Sequence, residues 1–138
     1  MFGLVDTSTT PALGVMEMVP CRDAATLLPI IQQHVRPGTI IWSDEWAAYR
    51  RVQQIPSVSQ HATVNHSIEF VSPLTGVHTQ HVESYWNRVK TKFKRMKGVQ
   101  ETMLSSYLDE YMWRERHGQS GSTAMNNLFR DIAQRYPV

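Results

Sequence analysis

The pattern that most limits what this chain can become runs from His78 to Gly98. Within it Val82, Trp86, Val89, Phe93 and Met96 recur at steps of four and three, the mark of one apolar stripe on a long helix. Thr79 stands where a cap is needed, and Lys97 followed by Gly98 is a stop signal. Beside the stripe runs a second line of Glu83, Asn87, Lys90 and Lys94. Glu83 and Lys90 are close to two turns apart and so share a face. A lone carboxylate at the head of a basic face is suited to work on a phosphate backbone, the carboxylate holding a metal and the lysines holding phosphate.

Charge sharpens that reading. Residues 88–97 contain Arg88, Lys90, Lys92, Lys94, Arg95 and Lys97 and no acid, whereas the other eight of the chain's 14 Lys and Arg stand against 12 Asp and Glu. The formal net charge of +2 therefore conceals a basic stripe on an acidic body, the footprint of a localised polyanion site. A merely solvated helix face is the plainer alternative. The 138 residues are 41% hydrophobic and 19% charged, which suits one globular domain with a real core. Cys21 is the sole cysteine, excluding an internal disulfide and a multi-cysteine zinc site. No apolar run approaches the ~18 residues of a membrane span, and the N-terminus lacks the basic-then-apolar order of a signal peptide. A membrane partner is not expected.

Taken in order, Met1–Val5 and Ala12–Val19 predict two strands joined in a hairpin across the turn-rich residues 6–11. Asp23 predicts an N-cap for a helix carrying Ala24, Leu27, Leu28, Ile31 and Val35, loosened by Pro29 and ended by Arg36-Pro37-Gly38. Thr39–Ser43 predicts a buried strand running straight into Asp44 and Glu45. In open α/β sheets, sites lie beyond the carboxyl ends of strands, so Asp44 is a stronger functional candidate than an acid elsewhere. A short helix over Trp46–Val52, a loop over Gln53–Gln60 and a brief strand over His61–Val64 follow. Asn65–Val77 crosses to the long helix. Thr102–His117 predicts a further helix, Gly118–Ser122 a flexible break, and Met125–Tyr136 a peripheral helix. The expected fold is α/β with a mixed sheet, ribonuclease H-like (retroviral integrase-like), entered one strand late, plus C-terminal helices. Residues 1–117 form the domain and residues 118–138 its tail.

Asp44 and Glu83 lie 39 positions apart, enough chain for one strand-to-helix return, although acid pairs at such spacing are common. Two carboxylates converging on a sheet edge suit Mg2+ or Mn2+, which take hard oxygen ligands. Ordered blocks add specificity. Trp42-Ser43-Asp44-Glu45-Trp46-Ala47-Ala48-Tyr49, Thr63-Val64-Asn65-His66-Ser67, Phe70-Val71, Gly76 to Trp86 and Tyr107 to Arg114 together resemble the DDE transposase family of ISXO-type bacterial insertion sequences and animal Merlin transposons. The resemblance spans Phe2 to Arg116.

The resemblance implies a ribonuclease H-like core that cuts and rejoins double-stranded DNA with divalent metal. By position Asp44 matches the second catalytic, metal-binding acid and Glu83 the third. Lys90 matches a basic residue two turns beyond that Glu, and Arg88, Lys92, Lys94, Arg95 and Lys97 join it as DNA-binding candidates. The family's first catalytic Asp belongs on a strand ahead of Met1–Val5, so the chain is expected to be truncated and inactive by itself. The alternative is a domesticated or degraded, non-catalytic DNA-binding or interaction module. A homo-oligomer is an admissible partner. A eukaryotic host would imply the nucleus and a bacterial one the cytoplasm and nucleoid. His61, His66, His78 and His81 lack a helical ligand pair and are read as loop supports or phosphate contacts rather than a zinc site. Trp42, Trp46, Trp86 and Trp113 are read as core aromatics.

Overall fold

The computed structural model describes residues 1–65, 78–118 and 120–137. His66, the Phe70-Val71 block and nearly all of the crossing from Asn65 to Val77 lie outside the described residues.

The chain forms a mixed α/β fold with two small sheets and several helices. Strands β1 (Phe2–Asp6) and β2 (Leu13–Glu17) make an antiparallel ribbon with Leu4 opposite Val15. Helix α1 (Ala24–His34) starts at Asp23, whose carboxylate accepts the Thr26 amide at 2.8 Å, satisfying one orphan donor of the first turn. β3 (Thr39–Asp44) then pairs in parallel with β4 (Val58–Val64). Among the described residues that follow, the α-helices are α2 (Gln80–Arg95), α3 (Leu104–His117) and α4 (Gly121–Arg135).

Three boundaries differ from the sequence expectation. The helix over Trp46–Val52 is instead two 3-10 turns, Ala47–Tyr49 and Val52–Gln54, which bury Ala48 and Val52. β4 begins at Val58 rather than His61, because pairing with β3 extends a backbone whose exposed Ser59 and Gln60 look loop-like. α4 begins inside the expected break, since the Ser120 hydroxyl accepts the Thr123 amide and caps it.

The first ribbon is covered on both faces. Phe2 and Leu4 pack with Leu27 and Ile31 of α1 and with Ile41 and Val58 of the second ribbon. On the opposite side Met16 and Val5 pack with Tyr85 and Val89 of α2 and Leu108 of α3. Fully burying one such side chain contributes about 2 kcal/mol. Gly14 makes this approach possible: a Cβ there would lie 2.2–2.6 Å from three atoms of the buried Tyr85 ring. The Tyr85 hydroxyl donates to Glu115 at 2.5 Å.

The α2 stripe is therefore not quite the expected one. Tyr85 joins it, fully buried, while Met96 is 38% exposed. Thr79 sits at the N-cap but makes no side-chain cap bond; its hydroxyl donates to Glu83 at 3.1 Å instead. At the other end the Gly98 amide reaches back to the Phe93 carbonyl, and Lys97 adopts φ 58°. This is a Schellman-type closure with Lys97 rather than glycine as the first left-handed residue.

No ladder joins β1 to β3 among the described residues, although both ribbons pack on α1 through one core. Trp42 and Trp46 are 45% and 55% exposed, not core aromatics: among the described residues little packs over the β3 face carrying Ile40 and Trp42, and Trp46 follows the strand in the turn after it. α4 is tied to α3 by polar contacts, Trp113 to Asp131 at 2.8 Å and Asn127 to the His117 carbonyl at 2.6 Å.

Candidate functional site

Asp44 ends β3, and its Oδ1 accepts the Trp46 amide at 3.1 Å. That turn fixes the carboxylate at the strand terminus. It lines a hollow of about 330 Å³ together with Tyr49, Arg50, His61 and Thr63. Beneath it the Ser43 hydroxyl donates to the Asp44 carbonyl at 2.7 Å. Its single proton is then committed, so His61, 2.8 Å from the same oxygen, donates from Nε2. Burial pushes the His61 imidazole below the usual histidine range, which favours that neutral form. Burial, and then the nearby Asp44 carboxylate, raise the Tyr49 phenol.

Glu83 lies in the first turn of α2, where a carboxylate also complements the helix dipole. Ring contacts bring this turn to β3: Trp42 meets His78 edge-on with centroids 5.5 Å apart, and His78 meets His81 at 5.0 Å. Strand alternation puts Trp42 and Asp44 on the same face. The strand of Asp44 and the helix of Glu83 are thus linked through the Trp42–His78–His81 ring contacts, although Glu83 is not part of the hollow's lining. The buried His78 Nδ1 has no hydrogen-bond partner among the described residues. Asp44 and Glu83 offer the hard oxygen donors that Mg2+ or Mn2+ takes. Among the described residues, however, no three His, Cys, Asp or Glu side chains converge as a metal-holding group. These two acids therefore do not by themselves make a closed cation site.

The basic stripe is divided. Arg88 lies 3.7 Å from Glu115 and over the Tyr85 ring, and Lys92 lies 3.3 Å from Glu110 and over the Tyr111 ring. Both are turned toward α3. Lys90, Lys94, Arg95 and Lys97 are exposed and make no ion pair among the described residues. Glu110 is held below the usual carboxylate range, first by Arg114 at 2.6 Å and also by Lys92. Its role and that of Glu115 escaped sequence reasoning, because only the packing of α3 on α2 brings charges some twenty positions apart together. The Ser43–His61 pair was equally hidden, since it depends on the β3–β4 register.

A family model of the ISXO2-like transposase domain matches residues 1–116. The chain belongs to that family. A relative in Haemophilus influenzae, described as an uncharacterized transposase-like protein, is 30% identical over 99 residues, covering 70% of this chain and 76% of the relative. No solved structure matches the chain significantly. The ISXO2-like match takes in both ribbons and α1 through almost all of α3, so Asp44, Glu83 and the whole basic stripe fall within it. Among the described residues of this ISXO2-like transposase domain, no helix is long and apolar enough to cross a membrane.

Proposed function

We propose that this transposase domain serves metal-dependent DNA cleavage and strand transfer, with Asp44 and Glu83 as two of its metal-facing carboxylates. The observation that supports the reading is the contact of Trp42, two residues before the end of β3, with His78, whose ring in turn meets His81 in the first turn of α2. When bound, Mg2+ or Mn2+ would polarise the phosphate and stabilise charge on the attacking and leaving oxygens. The chain's own part is positional. The Trp46 amide and the Ser43–His61 pair fix the end of β3, Thr79 orients Glu83, and Lys90 and Lys94 hold backbone phosphates of double-stranded DNA.

The ribonuclease H-like reading of the sheet belongs to the same proposal. A strand lying between β1 and β3 would join the two ribbons into one mixed sheet, and a carboxylate on it would add the third ligand. Kinship with Merlin elements, assembly as a homo-oligomer, and residence in a nucleus or nucleoid according to host are part of this reading.

The 138-residue chain, incubated with transposon-end DNA and Mg2+ or Mn2+, should not cleave. Adding a segment that supplies the strand and its carboxylate should confer cleavage, and Asp44→Asn or Glu83→Gln should abolish it. Cleavage by the unextended chain that is lost with Asp44→Asn would show that no third acid from another strand is needed.

A further inference from the structure

We infer that α2 is a groove-reading helix whose Asn87 discriminates between base pairs. The inference rests on the DNA-binding reading above and deepens it. Around a helix each residue advances by ~100°. With Tyr85 and Val89 marking the buried side, the exposed side has three zones. One flank carries Lys90 and Lys94, with Glu83 at its N-terminal end. The other carries Arg88, Lys92 and Arg95, roughly 150° away by the same rotation. Between them runs an uncharged polar crest of Gln80, Ser84, Asn87 and Thr91, all exposed.

A helix ~10–12 Å across fits the ~12 Å major groove of B-DNA. There the two cationic flanks would meet the two phosphate backbones while the crest meets base edges. A surface built only for phosphate has no need of a neutral strip along its most protruding line. Asn87 lies midway along that strip. The Thr91 hydroxyl is already donated to the Asn87 carbonyl at 2.7 Å, whereas the Asn87 side-chain amide makes no bond among the described residues. An Asn amide can both donate to and accept from adenine in the major groove.

The second flank can be recruited. It borders an open cleft of about 490 Å³ between α2 and α3, lined by Arg88, Thr91, Lys92, Arg95, Met96 and Tyr111. Arg88 and Lys92 are held by Glu115 and Glu110, but each acid has a second donor. Arg114 binds Glu110 and the Tyr85 hydroxyl binds Glu115. A phosphate could therefore draw Arg88 and Lys92 away without stranding either carboxylate.

The test is selection from a randomised DNA duplex library by the full 138-residue chain at fixed salt, with salt titrations of the selected duplex. The wild type should enrich a short motif. Asn87→Ala should relax one position of it by roughly tenfold, with melting temperature unchanged. Lys90→Gln with Lys94→Gln should weaken binding to all sequences, lower the salt slope by about two and leave the motif intact. Arg95→Gln should lower the slope by about one in the same way. An unchanged motif with Asn87→Ala, or equal wild-type binding to every sequence, overturns the groove-reading assignment and leaves DNA binding standing. No wild-type binding at low salt overturns both.

Discussion

The β1–β2 ribbon and the β3–β4 ribbon are both short and rich in aliphatic and aromatic residues, yet the helices treat them differently. The first lies between α1 on one face and α2 with α3 on the other, so close that Gly14 touches the Tyr85 ring. The second shares the α1 core but leaves Ile40 57% exposed and Trp42 45% exposed. Close packing makes the first ribbon intolerant of added volume. The second keeps open the face on which Trp42 meets His78, and it ends at the acid of the candidate site. The contrast is one of packing: the first ribbon is closed on both faces, and the second carries the proposed site at its end.

The largest effect should come from the closed side. Gly14→Ala should cost about 3 kcal/mol or more, since its methyl group overlaps a ring that has no room to move. Thermal denaturation should show a fall of about 10 °C, or no cooperative transition. A loss of only a degree or two would mean that the ribbon is not closed as described.

A smaller effect should appear on the open ribbon as acid is added. Burial holds the His61 imidazole below its ordinary range, so the unfolded chain takes up a proton at a pH where the folded chain still resists it. Stability should therefore fall as pH drops below the unfolded value of 6.5, because the unfolded state binds more protons. Comparing melting temperatures at pH 7.5 and 5.5, His61→Gln should show a smaller fall than the wild type. An equal fall would assign the acid sensitivity to other groups.

The smallest effect is expected at Ile40. Ile40→Thr keeps a β-branched residue on a largely exposed face, and its melting temperature should stay within about 2 °C of the wild type. A drop as large as that of Gly14→Ala would mean that this face is packed like the other, and the contrast would disappear.

The same contrast explains how far the sequence could be read. Local signals located the hairpin, the Asp23 cap, the strand leading to Asp44 and the long helix. What escaped depends on partners distant in sequence. Tyr85 is not in the expected stripe; inside the fold Glu115, 30 positions on, accepts its hydroxyl. Ser59 and Gln60 read as loop until β3 is alongside. Arg88 and Lys92 read as free cations until α3 presents Glu115 and Glu110. At the candidate site both acids and the basic helix were legible as residue types, whereas the Ser43–His61 pair required the strand register.

The end of α2 sets two demands against each other. A left-handed backbone at a residue with a side chain costs about 1 kcal/mol, and glycine would avoid it, yet the position holds Lys97 at φ 58°. Replacing Lys97 with Gln removes a charge and keeps the strain, whereas replacing it with Gly removes both. The two substitutions are therefore different probes, and only the first reports on charge alone. A search for more stable variants would drift toward glycine here and discard an exposed cation of the basic stripe on the way, so a gain in thermostability at this turn would carry a change of surface charge with it.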